Sequence, residues 1–264
     1  MLQVSCFDNI WQSDTLISGE NRAALRTAVG KLEDVPDSDK DWHPNSNDLV
    51  LDLVHPSLYP LVYRRTIGAS ALEPIEAPLK NKRDWSHSDD FAWLPTDFTI
   101  APDGSSAKAQ AYINNIHPSN KSLVSAIENI VASFVPLFNR VLTDQLLGND
   151  QDFLLRIPDH YDYDESDYPS REPGETNSDY RERYIEWNET KRLILPETPN
   201  FKPGSRLRRT KTYTINGRNV QAIVKLANIH LNPEQPEYGG GSWHIEGMTN
   251  ERIVASGIYY YDEE

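Results

Sequence analysis

The chain's 264 residues carry 26 Lys and Arg against 40 Asp and Glu, a formal net charge of −14 with histidine neutral. That balance argues against a face built to displace counterions from nucleic acid, and equally against one that seeks anionic membrane headgroups. With 38% hydrophobic and 10% aromatic residues the chain is too apolar for disorder, and its length suits one large domain or two modest ones.

Cys6 is the only cysteine, so no disulfide can form within the chain, and a reducing intracellular setting, the cytoplasm, is expected. Met1 is followed by Leu, Gln and Val rather than by a basic and then apolar leader. No uninterrupted apolar run approaches the roughly 18–20 residues that cross a bilayer. The first element in chain order is a short helix, capped by Ser18 or Asn21, rich in alanine to Ala28 and stopped at Gly30. Residues 33–48, dense in Asp, Asn, Ser and Pro, read as loop. Residues 49–63 are too apolar to be exposed, yet Pro56 and Pro60 forbid a helix or central strand running through them. A buried extended segment is expected there. Residues 68–110 read as irregular structure, packed through Trp85, Phe91, Trp93 and Phe98.

The clearest helix comes after Ser119 and Asn120. Leu123, Ile127, Ile130, Val131, Phe134, Phe138, Val141 and Leu142 recur at threes and fours, with a kink expected at Pro136 and an end at Gly148. Between Asp150 and Glu189 lie 13 acidic residues, a solvated charged face that includes a helix over 178–194. Tyr180, Tyr184 and Trp187 share one side of it. From Phe201 the period falls to two. A strand over 210–215, an Asn216-Gly217 hairpin turn and a long return strand over 220–231 are expected. Beyond them come a Pro- and Gly-rich loop over 232–241 and short strands over 242–246 and 253–261.

The chemistry-bearing stretch is Gly239-Gly-Gly-Ser-Trp-His-Ile-Glu-Gly-Met248. Residues two apart in a strand share a face, so His244 and Glu246 would project together. An imidazole and a carboxylate side by side are two members of the 2-His-1-carboxylate triad that non-haem Fe(II) oxygenases use. A surface His and Glu at a strand end is the plainer alternative. None of the other histidines (His43, His55, His87, His117, His160 and His230) lies after His244, where a barrel would place its distal ligand. His230, on the long strand, could approach the site. His55, in its apolar run, reads as a hydrogen-bonded structural histidine. Arg206, Arg208, Arg209 and Lys211 could meet the carboxylates of an acidic co-substrate, although pairing with the acidic stretch is the simpler expectation.

Several long motifs carry a resemblance. Leu51-Asp-Leu-Val-His-Pro-Ser-Leu-Tyr-Pro-Leu-Val-Tyr63, Tyr112-Ile-Asn-Asn-Ile-His-Pro118, Val224-Lys-Leu-Ala-Asn-Ile-His230 and Gly240-Gly-Ser-Trp-His-Ile-Glu-Gly-Met248 resemble the fungal family called domain of unknown function 4246. The resemblance spans roughly residues 42–262. Separately, Trp243-His-Ile-Glu-Gly-Met248 is similar to the Trp-His-x-Glu metal motif of Jumonji-C oxygenases.

Together these readings predict an α+β fold. A helical and irregular region over 1–110 would precede a helical segment over 111–200, and 201–264 would open a cupin-like, double-stranded β-helix barrel that stops before it closes. The expected function is that of an Fe(II)- and 2-oxoglutarate-dependent oxygenase-like protein with His244 and Glu246 as metal ligands, lacking the distal histidine and inactive as this chain alone. A non-catalytic interaction or scaffold protein on a degenerate or truncated barrel is the alternative. The substrate would be a small molecule or a protein, with no nucleic-acid or membrane partner. Self-association through the unfinished edge at 253–261 is expected.

Overall fold

The computed structural model describes residues 1–4, 9–78, 86–147, 162–195, 211–241 and 247–263. Trp85 and the strand expected over 242–246 lie outside these residues. The elements in chain order are β1 (Gln3–Val4), β2 (Trp11–Gln12), α1 (Gly19–Glu33), β3 (Val50–Val54), β4 (Leu61–Val62), β5 (Phe91–Ala92), β6 (Thr96–Ile100), β7 (Ala107–Ala109), α2 (Lys121–Leu147), α3 (Asn177–Thr190), β8 (Asn219–Ala222) and β9 (Leu226–Ile229). The architecture is mixed α+β, with three helices and small antiparallel sheets among the described residues. Two units are distinguishable. One takes in Met1–Val4, Trp11–Gly148 and Lys211–Glu264; the other Ser5–Ile10 and Asn149–Thr210.

In the first unit, Ser18 starts α1 by accepting the Asn21 N–H at 3.2 Å. The helix does not stop at Gly30 but continues to Glu33. Leu32, one turn on from buried Ala28 and Val29, packs on the same core, which outweighs the roughly 1 kcal/mol a helical glycine costs. The α2 helix continues through Pro136 and buries Leu123, Ala126, Ile127 and Val135. By length and composition α2 could pass for a membrane span. Here Leu123, Ala126, Ile127 and Val135 pack in a core with Leu25 and Val29 of α1. Glu128 of α2 accepts Lys108 Nζ at 2.6 Å and the Ala109 N–H at 3.0 Å, joining the helix to β7.

The middle of the chain is more regular than its composition suggests. Residues 96–100 form the central strand of a sheet ordered β7-β6-β8, with Thr96, Phe98 and Ile100 buried and Asp97 and Thr99 exposed. Five alternating residues just after Pro95 are too short a signal to stand out from the surrounding prolines.

The expected hairpin is also rearranged. Gly217 takes the turn with a φ of 68°, but the strand after it pairs with β6, matching Val220 to Phe98. Residues 211–215 form no strand, because side chains of α2 occupy their amides. Thr143 Oγ1 accepts the Tyr213 N–H at 2.9 Å and Asn139 Oδ1 accepts the Ile215 N–H at 2.8 Å. The return strand is split in two, β8 joining β6 and β9 joining β3. Residues 253–261 likewise form no strand. The Tyr261 carbonyl accepts Arg22 Nε at 2.6 Å, and Tyr259 and Tyr261 pack on the core.

The second unit is built differently. Thr176 caps α3 by accepting the Asp179 N–H at 3.3 Å. The helix ends at Thr190, before the expected 194, and buries no residue. Tyr168, Tyr184 and Trp187 form a ring cluster, with the Tyr168 and Trp187 centroids 4.9 Å apart. Arg183 grips Glu175 through two contacts at 2.7 and 3.0 Å.

Candidate functional site

His244 and Glu246, the ligands expected from sequence, lie with Trp243 outside the described residues. The backbone immediately beyond them is well anchored. Gly247 has a φ of 83°, a backbone conformation side-chain-bearing residues rarely adopt, and a Cβ there would stand 2.5 Å from Ile253 Cδ1. Thr249–Glu251 then form a single 3₁₀ turn. The Glu251 carboxylate accepts the Met248 N–H at 2.7 Å and the Trp93 N–H at 2.6 Å. The Thr249 N–H donates to the Ser86 carbonyl at 2.8 Å. Asn250 accepts the Ser88 N–H at 3.1 Å and donates to the Tyr63 hydroxyl at 2.9 Å. The turn that ends the motif is thus tied to Tyr63 and to residues 86–93.

A second constellation surrounds β3. Trp42 bridges to Leu51, and the His43 N–H donates to the Val50 carbonyl at 2.8 Å, so residues 41–43 run antiparallel to the strand. The connecting turn places Asn45, Asn47 and Asp48 at φ values of 63°, 54° and 56°, the left-handed region that Asn and Asp tolerate best among side-chain-bearing residues. On the other side β9 pairs with β3, and the register slips between Asp52 and Val54. That irregularity lets Leu51 and Val54 both face the core although they are three apart.

Asp52 lies between these two anchors with its side chain only 6% exposed. Its Oδ2 is 2.7 Å from His43 Nδ1, while its Oδ1 is buried without a hydrogen-bond partner. His55 sits at the strand end. Its ring centroid is 5.6 Å from that of His43, and its Nδ1 accepts the Ser57 N–H at 3.2 Å. Burial holds the His55 imidazole below its ordinary value, Asp52 and Asp41 pulling it up and Lys225 and His43 pushing it down. One donor atom from each of His43, Asp52 and His55 lies within 4.8 Å of the others, a group that could hold a metal ion.

His230, at the end of β9, stands apart from this group. Its N–H donates to the Leu49 carbonyl at 2.8 Å, its ring meets Trp42 edge-on at 5.9 Å, and its Nε2 lies 4.0 Å from Glu33. Asn228 links Glu33 to the Tyr261 hydroxyl. Of the basic residues considered for a co-substrate, Lys211 is exposed and Arg206, Arg208 and Arg209 lie outside the described residues.

Sequence reasoning passes over the group around Asp52. The available signal is a pair of His-Pro dipeptides, 43–44 and 55–56, flanking an apolar run whose single charge is Asp52.

A family profile described as a protein of unknown function (DUF4246) matches residues 2–264. No curated protein and no solved structure matches the chain.

Proposed function

The chain belongs to the DUF4246 family, and we propose, from its own residues, that it is a non-haem Fe(II)- and 2-oxoglutarate-dependent oxygenase-like protein in which His244 and Glu246 are metal ligands. The observation that carries this reading is the stretch Trp243-His-Ile-Glu-Gly-Met248, which sets an imidazole and a carboxylate two residues apart. In extended backbone that spacing turns both side chains to one face. The donor set suits the ion, since one nitrogen and one carboxylate oxygen are two of the three groups of the facial triad. Gly247 and the hydrogen-bonded turn after it support the reading, because they hold the backbone directly beyond Glu246 in one conformation. The proposed scaffold is a cupin-like barrel.

His244 would present a ring nitrogen and Glu246 an oxygen. When bound, Fe(II) and 2-oxoglutarate supply oxygen activation and the electrons it requires. A second reading, a non-catalytic scaffold or interaction protein, is favoured by one fact: the motif offers two of the three donors of the triad.

The test is Fe(II)-dependent binding and decarboxylation of 2-oxoglutarate by the purified chain and its His244→Ala and Glu246→Ala variants. Fe(II)-dependent 2-oxoglutarate binding should fall at least tenfold in each variant, with succinate formation lost wherever the parent shows it. Binding unchanged by both substitutions would overturn the assignment. A parent that binds neither iron nor 2-oxoglutarate would favour the scaffold.

A further inference from the structure

We propose that His43, Asp52 and His55 form a second site, independent of the 242–248 motif, for a divalent first-row transition-metal ion. Three observations converge on it. The first is proximity. Ligands at roughly 2.0–2.2 Å from one ion stand about 3–4 Å from one another, and donor atoms already within 4.8 Å need only small side-chain rotations to close on it.

The second is the state of Asp52. Its carboxylate is more than nine-tenths buried, and Oδ1 has no hydrogen-bond partner. A buried charged oxygen left unsatisfied is costly, and a bound cation supplies what it lacks. Its other oxygen already stands 2.7 Å from His43 Nδ1, so a small opening of that contact lets both atoms reach one ion.

The third is the condition of the two rings. His55 accepts the Ser57 N–H at Nδ1, so that nitrogen carries a lone pair rather than a proton. Ligation there replaces a long hydrogen bond with the ion. The His43 side chain is 42% exposed, leaving a route by which an ion can arrive from solvent. The backbone is pinned on both sides of the strand, by the 42–51 bridge and by β9. Two imidazoles and one carboxylate select zinc-, iron-, cobalt- or nickel-like ions over magnesium and calcium, which prefer sets made wholly of oxygen.

The experiment is Zn²⁺ binding by the full chain, measured by competition with a chromophoric chelator, with Co²⁺ replacing Zn²⁺ to read ligand identity from visible absorption. In a His244→Ala/Glu246→Ala background one equivalent of Zn²⁺ should still bind. Adding His55→Gln should weaken that binding at least tenfold and change the Co²⁺ spectrum. Asp52→Asn should do the same, with far-UV circular dichroism confirming that the buried substitution leaves the chain folded. His55→Gln touches a less buried position and decides the matter if Asp52→Asn does not fold. Loss of all Zn²⁺ binding in the folded double variant, or affinity unchanged by His55→Gln, overturns the second site. The 2-oxoglutarate readout at His244 and Glu246 is separate, so either proposal can fail alone.

Discussion

The two longer-range helical patterns in this sequence, α2 and α3, look alike on paper and are stabilised by different physics. The α2 helix buries Leu123, Ala126, Ile127 and Val135 against α1 and the β7-β6-β8 sheet. The α3 helix buries nothing. It is held by the Thr176 cap, the Arg183–Glu175 pair and the rings of Tyr168, Tyr184 and Trp187, with Lys191 Nζ lying 4.2 Å from the Tyr163 centroid. Spacing at three and four therefore announces a helix without saying whether a core rests on it. Burial answers to cavities; rings and ion pairs answer to salt and to single exposed contacts.

The contrast meets its most severe test in the core. Phe98→Ala, at a fully buried position, should cost about 3–5 kcal/mol in urea unfolding. Tyr184→Ala in α3 should cost about 0.5–1.5 kcal/mol, the worth of an aromatic pair. Equal losses would show that the second unit has a core of its own. Next in size is Gly247→Ala. A Cβ 2.5 Å from Ile253 Cδ1, added to a strained φ, should cost about 1–3 kcal/mol and loosen the 248–251 amides in hydrogen exchange. Unaltered exchange there would mean that the anchored turn is not rigid.

Salt should separate the two helices further. Raising ionic strength to about 1 M, where screening acts within roughly 3 Å, should reduce exchange protection in α3 through the Arg183–Glu175 pair and leave the middle of α2 unchanged. Protection in α3 that is indifferent to salt would assign its stability to the rings alone.

A weaker effect is expected in alkali. Burial raises the Tyr261 phenol above its ordinary value, with the Asn228 hydrogen bond lowering it, Glu33 and Asp262 raising it and Arg26 lowering it. A raised folded-state value means that the native chain holds this proton longer than the unfolded one. Its contribution is complete below the ordinary tyrosine value of 10.0 and is lost as pH climbs through the folded value. Stability should therefore decline above about pH 10, and Tyr261→Phe should flatten that decline. An identical pH profile in the variant would place Tyr261 in water.

Both long helices, the Ser18 cap and the Gly217 turn are legible because each is written in adjacent residues. Sheet partners are not. The 216–217 turn suggests a hairpin, yet Val220 pairs with Phe98, more than a hundred residues earlier, and 211–215 give their amides to Asn139 and Thr143 of α2. The β6 strand escapes notice because five alternating residues next to Pro95 make a weak local signal. The same limit applies to the group around Asp52. His43 and His55 each precede a proline and read as isolated structural histidines. A turn of left-handed Asn and Asp residues, together with the irregularity between Asp52 and Val54, brings them to one carboxylate.

Charge, the α+β class, the two helices and the His244–Glu246 spacing are properties of the sequence alone, because composition, caps and periodicity act within a few residues. Tertiary structure was needed to decide which strands meet, why Gly247 is strained for a side chain, and that His43, Asp52 and His55 share one half-buried corner. Those outcomes depend on contacts between residues far apart in the chain, where backbone amides choose among competing partners and burial sets which choice is the more stable.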